Sequence, residues 1–127
     1  MSNRSSPKVL LVEDDETLRL VTSEALRDAG FEVIEAKTGD EAILLLVEPD
    51  DIDALLTDVR LPGTLDGIEL AHETRKAFPE MPVVIASGYA AQLMHRLRGL
   101  KPPPAFLAKP FSLDKMVTTI RKMTEGP

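Results

Sequence analysis

An α/β domain built around a parallel sheet, with helices on both faces, is what this sequence predicts, and two observations carry the prediction. Five short apolar runs alternate along the chain with stretches whose apolar residues recur every three to four positions. Such alternation builds βαβ units, whose right-handed crossovers lay the strands parallel in one sheet. The chain is 127 residues long, enough for one hydrophobic core and too short for two.

The first run, KVLLV (8–12), is continuous and rich in β-branched and aliphatic residues, as in a strand buried on both faces. Leu18, Val21, Thr22, Ala25, Leu26 and Ala29 follow at helical spacing, and Gly30 stands where a C-terminal cap belongs. FEVIEA (31–36) predicts a second strand. Thr38 and Glu41 have the spacing of a capping box, opening a helix that carries Ala42 through Val47 and stops before Pro49. DALLT (53–57) predicts the third strand, followed by a loop from Asp58 to Gly67. Ile68, Ala71, Arg75 and Phe78 share one face of a third helix that ends at Pro79. PVVIA (82–86) predicts a fourth strand, followed by a helix over 90–97 and a proline-rich connector at 101–104. AFLA (105–108) predicts a short fifth strand, and Ser112 caps a last helix through Leu113, Met116, Val117 and Ile120. Residues 1–7 and 125–127 are expected to be loose, leaving 8–124 as the domain.

Composition removes several classes of function. Fifteen Lys and Arg stand against 21 Asp and Glu, a net charge of −6, which argues against direct nucleic-acid binding and against a basic membrane-surface helix. The absence of cysteine excludes disulfides, thiol catalysis and zinc-thiolate sites. No apolar run approaches the ~18 residues of a membrane span, and the N-terminus lacks the apolar region of a signal peptide. A soluble cytoplasmic domain is expected, whether it stands alone or forms part of a longer protein.

In an open parallel sheet, chemistry collects at the C-terminal ends of the strands. Glu13, Asp14, Asp15 and Glu16 follow the first predicted strand, Asp58 the third, Ser87 the fourth and Lys109 the fifth. Crowded carboxylates repel one another unless a cation sits among them. Hard oxygen ligands in small number suit Mg²⁺, with Mn²⁺ able to substitute. An aspartate can also carry an acyl-phosphate, whose oxygens need a metal, a cation and hydrogen-bond donors around them. On this reading Glu13 and Asp14 hold the metal, Asp58 accepts a phosphoryl group, Lys109 pairs with phosphate and Ser87 donates to a phosphate oxygen.

VLLVEDD (9–15), LLTDVRLP (55–62) with Asp66 and Gly67, VVIAS (83–87) and KPF (109–111), in that order and spacing, resemble the receiver (response-regulator) domain of two-component signalling. The resemblance covers nearly the whole chain. It implies a flavodoxin-like three-layer (βα)5 sandwich with strand order 2-1-3-4-5. It further implies that Asp58 is the phosphoacceptor, fed by a sensor histidine kinase or a phosphotransfer protein. Glu13, Asp14, Asp58 and the backbone carbonyl of Arg60 would bind Mg²⁺. Ser87 and Phe106 would form the switch pair, Lys109 the phosphate-binding cation, and Lys109–Pro110 a cis peptide. The face of the fourth helix, fifth strand and fifth helix would then signal to a partner or form a homodimer. Such a domain assists its own phosphorylation and dephosphorylation but is not an enzyme.

Departures from the family pattern are informative. Phe106 stands where many receivers have Tyr, so no hydroxyl contributes there. LPGTLDG (61–67) is one residue longer than the commonest form of this loop, as in some receivers attached to hybrid kinases. Arg60 and Tyr89 occupy the positions that flank the in-line water and set acyl-phosphate lifetime. Neither is an amide or carboxylate, so slow self-dephosphorylation is expected.

The competing readings are a Mg²⁺-dependent phosphatase with an Asp nucleophile and a flavodoxin-like cofactor binder or inert scaffold. The first usually needs an acid two residues after the nucleophile, where Arg60 stands. The second needs a phosphate loop after the first strand, where four acids stand. His72 and His95 read as surface residues on polar helix faces; Tyr89 and Met94 read as core or interface.

Overall fold

Strands β1 (Lys8–Val12), β2 (Glu32–Ala36), β3 (Ala54–Asp58), β4 (Val83–Ser87) and β5 (Ala105–Ala108) form one sheet in the order β2-β1-β3-β4-β5 in the computed structural model, which describes residues 6–47 and 51–125. Every neighbouring pair is parallel, with Leu10 opposite Ile34 and Leu55, and Ile85 opposite Phe106. The flavodoxin-like order is therefore the one present. The connections are α1 (Glu16–Asp28), α2 (Gly39–Leu46), α3 (Gly67–Ala77), α4 (Ala90–Leu93) with a 3-10 turn (Met94–Leu97), and α5 (Leu113–Glu125) closes the chain.

The central strands are apolar on both faces because each face has its own core. Leu10, Val12, Leu55, Val83 and Ile85 pack with Ala42 and Leu46 of α2, Ile68, Leu70 and Ala71 of α3, and Leu97. The alternate residues Val9, Leu11, Leu56, Val84 and Leu107 pack with Leu26 of α1 and with Met116 and Ile120 of α5. A period-two strand between two helical layers reads as an unbroken apolar run for this reason.

Several element boundaries and faces depart from the sequence reading. Strands β2, β3 and β4 each begin one residue later than expected. On α1 the buried stripe is Arg19, Thr22, Ser23 and Leu26, while Val21 is 40% exposed. Arg19 turns inward because its guanidinium donates to the Glu13 carbonyl at 2.9 Å and to Glu35 at 3.1 Å. Phe78 caps the end of α3 and is exposed, outside the buried face of Ile68, Ala71 and Arg75. The helix expected over 90–97 is one α turn that tightens to 3-10; no side chain caps its start. Pro49 lies outside the described residues and α2 ends at Leu46, whereas the termini expected to be loose lie outside them at 1–5 and 126–127. Among the described residues no helix is long and apolar enough to cross a membrane.

Two connections position the functional edge. The Lys109–Pro110 peptide is cis, and so is Lys101–Pro102. At the other connection α3 begins directly beneath the end of β3: the Gly67 amide donates to the Val59 carbonyl at 2.8 Å. A Cβ on Gly67 would lie 1.9 Å from the carbonyl oxygen of Asp58, so only glycine permits this approach. Gly67→Ala is expected to destabilise the fold by about 1–3 kcal/mol, the usual penalty for overpacking a tight site. A urea titration checks this, and a midpoint equal to the parent's would contradict it.

Candidate functional site

Four strand ends deliver the site. The amide of Glu13 extends the β1–β2 pairing by donating to the Ala36 carbonyl at 3.0 Å. Its side chain turns inward, 6% exposed, and its Oε2 accepts from the Asp15 amide at 3.0 Å. Asp14, next in the chain, is exposed at the rim. Asp15 is spent on the helix: its Oδ1 accepts from the Leu18 amide and caps α1.

Asp58 ends β3, with Oδ1 accepting from the Val59 amide at 2.8 Å and Oδ2 from Lys109 Nζ at 2.8 Å. Lys109 is set by β5, its amide donating to the Ser87 carbonyl at 3.0 Å. Its Nζ also lies 3.8 Å from Glu13 Oε1. Carboxylate oxygens of Glu13, Asp14 and Asp58 all lie within 4.8 Å of one another. One ammonium therefore stands among three carboxylates. Burial pushes the Glu13 carboxyl above its ordinary value; the Asp15 amide and Lys109 oppose this, and Asp58 and Asp14 add to it.

Ser87, buried at the end of β4, accepts from the Tyr89 amide through Oγ at 2.9 Å. Beside it a cleft of about 380 Å³ is lined by Asp58, Arg60, Ser87, Tyr89, Gln92 and Lys109, among others. The Arg60 guanidinium carbon sits 5.6 Å from the centroid of the Tyr89 ring, a cation–π stack at the cleft wall. Phe106 is half-buried against the core on the α2–α3 side of the sheet. The structure thus brings Glu13, Asp14, Asp58, Ser87 and Lys109 to one edge, with Arg60 and Tyr89 beside it.

Tyr89 and Met94, left open between core and interface, are each 56% exposed. His95 is exposed, but His72 Nε2 lies 2.8 Å from the carbonyl of Arg96 and so ties α3 to the 3-10 turn. The sequence reading also missed the Asp66–Glu69 capping box that starts α3, although its D-x-x-E spacing is plain in the sequence. The pairing of Arg96 with Asp66 at 2.7 Å had no comparable local signal.

The family model described as the response regulator receiver domain matches residues 9–121. The sensor kinase CckA of Brucella abortus (strain 2308) is 37% identical over 121 residues, which cover 94% of this chain and 13% of that protein. The response regulator receiver protein CpdR of the same organism is 34% identical over 116 residues, covering 91% of this chain and 95% of that protein. The chain thus spans a small part of one relative and nearly all of the other. A response regulator receiver protein from Sinorhizobium medicae WSM419 has a crystal structure similar to this one, with a TM-score of 0.87 and 29% identity over 96% of this chain and 97% of that one.

The raised Glu13 value has a consequence for stability. A carboxyl that holds its proton more tightly in the folded than in the unfolded state favours the fold at low pH. That contribution is full below the ordinary value of 4.5 and is lost as pH rises through the higher folded-state value. Without divalent cations, Glu13→Gln is therefore expected to raise the stability at neutral pH by on the order of 1 kcal/mol. The gain should vanish as the pH falls to 4.5 and below. Urea midpoints across this range check it, and a fall at pH 7 would mean that attraction to Lys109 outweighs burial.

Proposed function

The chain belongs to the response regulator receiver domain family of two-component signalling, and from that premise we propose that Asp58 is a phosphoacceptor served by Mg²⁺ or Mn²⁺. The observation that carries the reading is the Lys109–Asp58 ion pair at 2.8 Å inside a cluster of three carboxylates. A half-buried cation already pairs with the aspartate, yet the cluster retains an excess of negative charge. Hard oxygens with one member exposed to solvent fit a small divalent cation that keeps several waters. Glu13, Asp14, Asp58 and the Arg60 carbonyl would hold that ion, which when bound neutralises charge on the phosphoryl oxygens.

The chain's own groups supply the rest. A carboxylate oxygen of Asp58 attacks phosphorus while the bond to the donor's histidine nitrogen breaks, and the imidazole leaves. A carboxylate nucleophile has no proton to give up on attack, so no general base is needed. Lys109 shifts its pairing from the aspartate to the phosphoryl oxygens. The Ser87 oxygen is occupied as an acceptor from the Tyr89 amide, which leaves its own proton to donate to phosphate. Movement of Ser87 toward the phosphate opens space for Phe106 to turn inward. The new charge thereby biases a two-state element on the α4–β5–α5 face. A histidine kinase or phosphotransfer protein is the donor, and a partner or second copy on that face is the receiver of the signal. We place the chemistry in the cytoplasm, and the net charge of −6 argues against direct nucleic-acid binding by this domain.

With acetyl phosphate and Mg²⁺, intact mass is expected to rise by ~80 Da, the mass of one phosphoryl group. Asp58→Asn and Asp14→Asn should each abolish the adduct, as should chelation of the metal. An adduct that survives Asp58→Asn would contradict the assignment.

Lifetime is set at the cleft wall. The Arg60–Tyr89 stack walls the cleft beside Asp58, and from there it would screen the Asp58–phosphorus bond from an in-line water. The combined Arg60→Asn, Tyr89→Glu variant is expected to lose phosphate faster than the parent, roughly tenfold, below the ~10²–10⁴-fold that a fully positioned general base contributes. Equal decay rates would remove the shielding role and leave the phosphoacceptor standing.

A further inference from the structure

The loop between β3 and α3 is fastened to α2 at its tip. Thr64 donates its hydroxyl to Asp40 Oδ1 at 2.6 Å and its amide to Asp40 Oδ2 at 3.3 Å. Gly63 makes this approach possible: its φ is +95°, and a Cβ there would lie 2.9 Å from Asp40 Oδ2. On the adjacent residue, a Cβ on Gly39 would meet Leu65 Cβ at 2.9 Å, so the first turn of α2 is shaped to receive the loop. At its base the loop is closed by the Gly67 amide on the Val59 carbonyl at 2.8 Å. Between these two fastenings lie Arg60, Leu61, whose side chain packs on the core, and Pro62, whose ring fixes its own φ. Few backbone torsions remain free there.

We propose that Asp40 is a positioning residue: by holding Thr64 it sets the β3–α3 loop, and with it the Arg60 carbonyl, in the geometry that receives the divalent cation. The inference rests on the site reading above and extends it to a residue outside the acidic cluster. It also gives the longer loop a purpose, since the tip carrying Gly63 and Thr64 is the part that reaches α2. The Thr64 hydroxyl and amide hold the Asp40 carboxyl below its ordinary value.

The test uses Mg²⁺ itself, titrated by calorimetry into the metal-depleted full chain. Asp40→Ala and Thr64→Val are expected to weaken binding roughly 3- to 10-fold, less than the 10- to 100-fold typical of groups bonded directly to a metal ligand. Asp40→Asn should recover much of the affinity, because its amide oxygen still accepts from Thr64. Amide shifts in the metal-free variants should move across residues 59–66 while urea midpoints change little, as the contact is exposed. Thr64→Val alters one exposed hydroxyl and keeps the test valid if Asp40→Ala folds poorly. Parent-like Mg²⁺ affinity in Thr64→Val and in folded Asp40→Ala would overturn the inference alone. A parent that does not bind Mg²⁺, or Asp14→Asn binding as tightly as the parent, would overturn the site reading and the inference with it.

Discussion

Three carboxylates held within 4.8 Å of one another repel, and the geometry of this edge depends on how the fold contains that repulsion. Lys109 is the resident counter-charge, reaching Asp58 at 2.8 Å and Glu13 at 3.8 Å. Backbone amides take a further share: Val59 donates to Asp58 and Asp15 to Glu13. These bonds fix two of the acids while leaving Asp14 at the surface. The residual negative charge is an electrostatic cost to the free protein, one that a cation placed among the acids would relieve.

The parallel topology is what delivers these groups together. β1, β3 and β5 are not neighbours in sequence, but β1 and β3 pair directly and β4 alone separates β3 from β5. These strands end at the same edge, so the last residue of β3 or β4, or the one following β1 or β5, reaches the site. The two packed cores hold the strands in register, and a slip of one position in β5 would point the lysine away from the aspartate. α3 then closes the edge from below, through a glycine that admits the Asp58 carbonyl where any Cβ would collide. Stability and function meet at that contact, since the same approach that packs α3 shapes the loop beside the acids.

Most of this was legible because the relevant signals are local. Runs such as KVLLV announce strands buried on both faces, and acids, hydroxyl and lysine stand immediately after them. Glu13, Asp14, Asp58, Ser87 and Lys109 could therefore be collected before any coordinates. Contacts between distant segments were not legible. Arg19 is not among the residues read as the inward face of α1, yet it turns in to reach the Glu13 carbonyl. His72 reads as a surface ring until the 3-10 turn brings the Arg96 carbonyl to it. Thr64 and Asp40 are 24 residues apart, and nothing in either stretch announces that they meet. The Asp66–Glu69 capping box, by contrast, is readable from spacing alone, whereas at Thr38 only half of the expected box forms: Thr38 accepts from the Glu41 amide, but the Glu41 carboxylate accepts from the Lys37 amide instead.

The central claim is that a phosphoryl group is carried by Asp58 and by no other residue. An acyl-phosphate is reduced by borohydride to an alcohol, so trapping the phosphorylated protein and mapping its peptides identifies the carrier directly. The account predicts homoserine at position 58 alone, formed only when Mg²⁺ accompanies the phosphodonor. A reduced residue elsewhere, or an unmodified Asp58 in protein that carries the phosphoryl mass, would contradict it.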